Sequence, residues 1–326
     1  MSKGLANLGN TCSINALVQC IGHCDYLRDY FLHKSSFQKK DENTFSIGQE
    51  LSLILKQLWV DQNALKPIRF LKALQETMGS DAYSIGQEQL DFTEVWMVLI
   101  QRLLEESHEL SFQSNMFQKG PYVNEINQYI YTKAIHEWEK QSKDTNSPLL
   151  DIVQGVHVQQ IECTHCHRFY HNVEPFQSTY LDLPNQESTS IQECLHQYLQ
   201  IDQVDGWKCD QCHQSKNEKV MRFWKLPNVW IFLLKRFHGM KKNHIKVYCP
   251  KTLHIPEHFE MGGSSCEYQL KSMAQHYGSI HGGHYNAICH HQDSWFLYDD
   301  VHIQEISSND FLNNPYVYAL FYERVS

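Results

Sequence analysis

The sequence predicts an α+β fold, and three features carry that prediction. Apolar residues recur at helical spacing through the first part of the chain, short β-rich runs fill the rest, and two Cys-x-x-Cys pairs interrupt those runs. Ile14, Leu17, Val18 and Ile21 fall on one helical face, as do Leu51, Leu55 and Leu58, and then Val95, Leu99 and Leu103. From about residue 152 the pattern changes to alternation over 156–161 and a short strand-like run at 179–183, with one further helix expected at 191–199. Runs rich in aromatic and β-branched residues at 229–234, 285–289, 295–298 and 316–322 predict a sheet in the last hundred residues. No internal repeat or low-complexity linker separates these parts, and Gly262-Gly263-Ser264-Ser265 reads as a turn. The expectation is one unit over 1–326: a helical part to about 150, a cysteine-bearing part over about 152–225, and a sheet over about 226–326.

Composition narrows the function classes. At 326 residues and 42% hydrophobic content the chain can bury a sizeable core. Its 28 basic and 37 acidic residues give a net charge of -9, and the basic residues form no block denser than Lys241-Lys242, so no nucleic-acid footprint is present. No apolar run is long enough to span a bilayer, and Ser2-Lys3-Gly4-Leu5-Ala6-Asn7 does not lead into a signal-peptide h-region, so neither a membrane nor a secretory route is expected. Eleven cysteines, an odd number, then point to a reducing compartment, cytosol or nucleus, where thiols serve as ligands, nucleophiles or core residues.

Cys163-Thr-His-Cys166 and Cys209-Asp-Gln-Cys212 each present two thiolates at knuckle spacing. Together they supply the four soft ligands of one tetrahedral structural zinc; the competing reading is two unrelated pairs of buried or redox cysteines. His165, His167 and His213 stand beside the knuckles, but four cysteines already fill the coordination sphere. A filled sphere leaves no position for water, so such a metal would hold structure rather than perform chemistry.

The chemistry has to come from elsewhere. Gly4-Leu5-Ala6-Asn7-Leu8-Gly9-Asn10-Thr11 is a loop that delivers Cys12 to the start of the first amphipathic segment. At a helix N-terminus the dipole and unpaired amides favour thiolate over thiol, as a nucleophile requires; a small core cysteine in a capping loop is the alternative. Near the other end, His284 and Tyr285 lead into one predicted strand and Asp299-Asp300 close the next. A carboxylate on an adjacent strand can hold an imidazole in one tautomer while its other nitrogen takes the thiol proton.

These residues have a known counterpart. Gly4-Leu5-x-Asn7-x-Gly9-Asn10-Thr11-Cys12-x-x-Asn15-Ala16-x-x-Gln19 resembles the cysteine box of the ubiquitin-specific proteases, and Gly283-His284-Tyr285-x-Ala287, Trp295 and Tyr298-Asp299-Asp300 resemble their histidine box. Leu233-Leu234-Lys235-Arg236-Phe237, the cysteine pairs and Tyr318-Ala319-Leu320-Phe321-Tyr322 extend the likeness from Gly4 to Tyr322. The resemblance implies a papain-like hand: a helical thumb carrying Cys12, a β-sheet palm carrying His284 and Asp299, and zinc-binding β fingers. It implies thiol-dependent removal of ubiquitin from conjugated proteins, with another ubiquitin-like modifier, or a silent ubiquitin-binding scaffold, as alternative readings. Retention of Cys12, Asn7, His284 and Asp299 counts against the scaffold.

The same resemblance assigns further roles. Asn7, five residues before the nucleophile, becomes the oxyanion donor. Asp300 either adds to that stabilisation or replaces Asp299 as the polarising carboxylate. Gly86-Gln87-Glu88-Gln89-Leu90-Asp91-Phe92 stands where the family has Gln-Gln-Asp-Ala-x-Glu-Phe, so Glu88 and Asp91 take the place of acids that pair with arginines of the ubiquitin tail. The two acids are exchanged here, which changes reach by one methylene each; an ordinary solvated helix face is the plainer reading. His276 and Tyr285 match positions lining the channel for the terminal Gly-Gly, or are palm core. Ser13 stands where many relatives carry an aromatic residue.

Overall fold

The apolar stripe that begins at residue 12 forms helix α1 (Cys12–Gly22), and all of its residues are buried. A helix buried on every side cannot lie on a surface, and α1 runs between the other helices and the main sheet. The computed structural model describes residues 2–34, 37–38, 45–59, 64–79, 89–109, 125–204, 206–256, 265–280 and 282–325. Within these, α2 (Asp25–His33), α3 (Ile47–Leu58), α4 (Ile68–Met78), α5 (Phe92–Ser107), α6 (Glu125–Ser142) and α7 (Pro148–Val153) complete the helical part. Three of these helices start on a side-chain cap. Ser46 caps α3, Asp91 caps α5, and Ser147 caps α7 with Pro148 following at its first position.

The main sheet runs in the order His302–Ile306, Ser294–Asp299, Gly282–His291, Cys266–Ser279, Val317–Arg324, Val229–Lys235, Thr179–Asp182, with Thr252–Ile255 also paired to Cys266–Ser279. All its pairings are antiparallel except the last, where Thr179–Asp182 runs parallel to Val229–Lys235. Both faces are covered. Val229, Ile231 and Leu233 join the core shared with the helices, whereas Trp230, Phe232 and Leu234 join a second core on the far face, closed by α8 (Ile191–Tyr198). The period of two along a strand therefore feeds two cores from one segment.

A separate sheet, Phe169–Phe176, Gly155–Cys163, Asn217–Lys225 and Asp202–Val204, bears the paired cysteines at its tip. This arrangement is the thumb, palm and fingers that the resemblance implies. No helix among the described residues is long and apolar enough to cross a membrane.

Candidate active site

Cys12 is placed by the loop before it. The Leu8 N–H donates to Thr11 Oγ1 at 3.0 Å and the Thr11 N–H donates to Asn7 Oδ1 at 3.1 Å, so the chain turns and starts α1 with Cys12 as its first residue. The strand-like entry to this loop lies against the end of the palm hairpin, where the Leu5 N–H donates to Asp300 O at 2.9 Å. A Cβ at Gly4 would meet that same oxygen at 2.6 Å, so this close approach requires glycine. Cys12 is 2% exposed and opens toward the neighbouring strands Gly282–His291 and Ser294–Asp299.

His284 Nε2 and Asp299 Oδ1 are 2.5 Å apart, which leaves Nδ1 as the ring nitrogen for the hydrogen bond with Cys12. Burial pushes the Cys12 thiol up, but the His284 imidazole, the Tyr285 backbone N–H and the Gln89 carboxamide outweigh it, and the thiol lies below its ordinary value. The bond to that sulfur, reinforced by Asp299 against partial burial, lifts His284 to about 9. The two shifts describe one arrangement, a thiolate facing an imidazolium.

Asn7 is held at both ends. Its Oδ1 accepts from Thr11, and its Nδ2 donates one hydrogen to Asp300 Oδ2 at 2.9 Å, leaving the second hydrogen for an oxyanion. The other oxygen of Asp300 accepts from Asn15 Nδ2 at 2.7 Å. Asp300 is thus tied to two asparagine amides, while its carboxylate lies within 4.8 Å of the His284 and Asp299 polar atoms.

Beyond Cys12 a cleft of about 700 Å³ opens between residues 89–91 and the Cys266–Ser279 and Gly282–His291 hairpin. At its floor, a Cβ on Gly283 would stand 2.0 Å from Tyr277 O and 2.4 Å from His276 Nε2, so no other residue fits. The His276 ring is stacked on Tyr285 at 4.5 Å, and both residues are 3% exposed. Burial and the nearby Lys242 ammonium hold His276 down to about 4, so its neutral ring accepts at Nδ1 from Lys242 Nζ at 3.0 Å. Lys242 Nζ also donates to His276 O at 2.6 Å and fastens the Lys241–Lys242 ribbon to the hairpin.

Asp91 faces inward. One oxygen caps α5 by accepting from the Thr93 and Glu94 N–H groups, and the other accepts from the hydroxyls of Tyr285 and Tyr318 at 3.0 and 2.8 Å. Glu88 lies outside the described residues. Ser13 is fully buried, with no hydrogen-bond partner for its hydroxyl among the described residues. Gln89, Lys242 and Asn15 belong to the site but carry no role in the sequence analysis. Two of them had a legible signal: Gln89 is a long polar side chain where the family segment has alanine, and Asn15 belongs to the cysteine box.

The four knuckle cysteines converge. Their sulfurs all lie within 4.8 Å of one another, with Cys163 to Cys212 at 3.5 Å and Cys166 to Cys209 at 3.6 Å. A tetrahedral zinc with bonds of about 2.3 Å separates its sulfurs by about 3.8 Å, so the tetrad fits one such ion. Each knuckle closes with an N–H from the next residue: His167 donates to Cys163 O and His213 to Cys209 O, both at 2.8 Å. These two histidines take positive φ, 55° and 58°, and their role is the turn. The Tyr170 hydroxyl lies 3.4 Å from Cys209 Sγ, a second contact on the ligand set.

The sequence profile described as ubiquitin carboxyl-terminal hydrolase matches residues 3–322. Ubiquitin carboxyl-terminal hydrolase 21 of Homo sapiens is 25% identical over 348 residues, covering 98% of this chain and 61% of that protein. Ubiquitin carboxyl-terminal hydrolase Usp2 of Drosophila melanogaster is 25% identical over 336 residues, covering 98% of this chain and 34% of that protein. Among solved structures, the SAGA Ubp8/Sgf11/Sus1/Sgf73 DUB module bound to ubiquitin aldehyde aligns with a TM-score of 0.76 at 20% identity, covering 99% of this chain and 70% of that one. The chain therefore spans less than two thirds of the length of these curated relatives, and it shares the fold of the solved structure. Since the profile runs nearly end to end and its cysteine and histidine boxes meet in one cleft, this chain belongs to the ubiquitin carboxyl-terminal hydrolase family, among the ubiquitin-specific proteases.

Proposed function

We propose that this chain is a thiol-dependent deubiquitinase, hydrolysing the isopeptide or peptide bond after the C-terminal glycine of ubiquitin. The observation that carries the reading is the alignment of Cys12, His284 and Asp299 beside a cleft lined by Gly282, Gly283, His276 and Tyr285.

Cys12 thiolate attacks the terminal glycine carbonyl. Negative charge moves onto the carbonyl oxygen, toward the free Asn7 N–H and the Cys12 backbone N–H. As the C–N bond breaks, the His284 imidazolium gives its proton to the departing lysine amine, leaving ubiquitin as a thioester on Cys12. Neutral His284 then removes a proton from water, the hydroxide attacks the thioester, and Cys12 leaves as thiolate beside a renewed imidazolium. Asp299 holds the ring through both steps.

The knuckle tetrad supports one structural zinc held by Cys163, Cys166, Cys209 and Cys212, which would tie the tips of the finger strands together. Ubiquitin and ubiquitinated proteins are the proposed partners, in the cytosol or nucleus. Glu88 and Asp91 remain the proposed contacts for tail arginines; Asp91 would act through carboxylate oxygens already engaged by the Tyr285 and Tyr318 hydroxyls on one side and the α5 cap on the other.

The test is release of product from lysine-linked diubiquitin and from C-terminal amides of ubiquitin and of other Gly-Gly modifiers. Cleavage of the ubiquitin substrates is expected. Cleavage only of another modifier would keep the mechanism and change the substrate, and binding of ubiquitin without cleavage would favour the scaffold.

A further inference from the structure

The side chain of Gln89 crosses the cleft. Its Oε1 accepts from the Gly283 N–H at 2.6 Å, and its Nε2 donates to Gly283 O at 2.6 Å and to Cys12 Sγ at 3.1 Å. One carboxamide thus satisfies both main-chain groups of the glycine on the cleft floor, in the two-bond pattern that an extended peptide makes with a strand edge. It also covers the nucleophile. Gly283 cannot carry a side chain, so its N–H and C=O are what it can offer to an arriving tail.

We propose that Gln89 is an internal stand-in for the substrate tail, a specificity residue that must be displaced by a peptide backbone before Cys12 can be acylated. This rests on the hydrolase reading above and deepens it. The tail's last residues would take over the two Gly283 bonds and release the Gln89 amide from the sulfur. A substrate able to form that backbone pair recovers the bonds it breaks. One that cannot breaks the Gln89 bonds and leaves the exposed Gly283 groups to water, with no protein–substrate pair formed in return. The discrimination is therefore between extended peptides ending in glycine and other acyl compounds. Closure by Gln89 lowers the fraction of chains ready for the tail and so raises the apparent KM.

The experiment compares wild type with Gln89→Ala and Gln89→Asn, the second keeping an amide but shortening its reach. Three probes are used: ubiquitin with a C-terminal vinyl methyl ester, a short glycine-ended peptide with the same electrophile, and iodoacetamide, which needs no tail site. For Gln89→Ala we expect the second-order rate to rise about tenfold with both tail-bearing probes, as two hydrogen bonds no longer have to be exchanged, with Gln89→Asn close behind. With a cleavable ubiquitin amide the gain should appear as a lower KM. Iodoacetamide should react no faster, and its pH profile should move upward because one donor to the thiolate is gone.

A gain equal for iodoacetamide would overturn the proposal and make Gln89 a simple shield. A loss with both tail probes would also overturn it, and make Gln89 a positioning residue for the thiolate. If the peptide probe responds as expected but ubiquitin labels neither form, the stand-in holds and the ubiquitin reading fails.

Discussion

Cys12 and the four knuckle cysteines are one side chain in two surroundings, and the surroundings decide what each sulfur does. Cys12 stands singly at a helix start, its charge balanced by the His284 imidazole and by amide donors from Tyr285 and Gln89. The knuckle sulfurs stand 3.5 and 3.6 Å apart in pairs, on turns closed by backbone N–H groups. Several thiolates that close repel one another unless a cation shares their charge, so a metal suits them and a substrate carbonyl does not. A third setting completes the comparison: Cys24, Cys249 and Cys289 lie in the core, where burial pushes each thiol up and leaves it inert.

The comparison can be broken at either end. The largest effect expected is from Cys12→Ala, with turnover falling by about 10⁴-fold or more while metal content and Tm stay near wild type. A Tm loss of many degrees would make Cys12 a packing residue instead. Next, Asp299→Asn should lower kcat by about 10²- to 10⁴-fold, because the ring loses the carboxylate that orients it and supports its charge. An unchanged kcat would transfer that role to Asp300.

Cys209→Ser tests the other end. It should cut bound metal, measured by mass spectrometry, and cost several kcal/mol of stability in the finger sheet. Alkylation of Cys12 by iodoacetamide should persist; equal loss of both would mean that the two thiol sites are not independent.

The pH dependence sharpens the cleft side. Below the lowered Cys12 value sulfur takes a proton, and above about 9 His284 gives its proton up, so kcat/KM should form a bell whose alkaline limb falls near 9. Asp299→Asn should move that limb to lower pH. The smallest effect is expected from Tyr318→Phe, which removes one of two hydroxyls on Asp91 and should cost about 1 kcal/mol in denaturant unfolding.

Much of this was legible in the sequence because it is local. The helical stripe of residues 12–22, the strand at 229–234 and the knuckle spacing each announce their structure within a few residues, and they stand in the fold as Cys12–Gly22, Val229–Lys235 and the sulfur tetrad. The central strand Cys266–Ser279 was not read. Its first residues alternate buried and exposed, but 272–276 are buried in succession, and Ser272, Gln275 and His276 within that run hide the pattern. Helix Glu125–Ser142 lies in the part read as helical but was not singled out, because it is mostly polar and its buried apolar stripe among the described residues is only Ile130, Ala134 and Trp138. In the site, motif residues were found, but the pairings by which they reach across the fold were not. Gln89 lies 194 positions from Gly283, and Asn15 lies 285 from Asp300. No local pattern encodes such a pairing.

The central claim is that a Cys12 thiolate is aimed at the tail of ubiquitin. The most direct test is to incubate the purified chain, and its Cys12→Ala form, with ubiquitin carrying a C-terminal electrophile, and to locate the adduct by peptide mapping. The account predicts one ubiquitin per chain, attached at Cys12 and absent from the variant. An adduct on another cysteine, or none from a folded, metal-loaded chain, would contradict it.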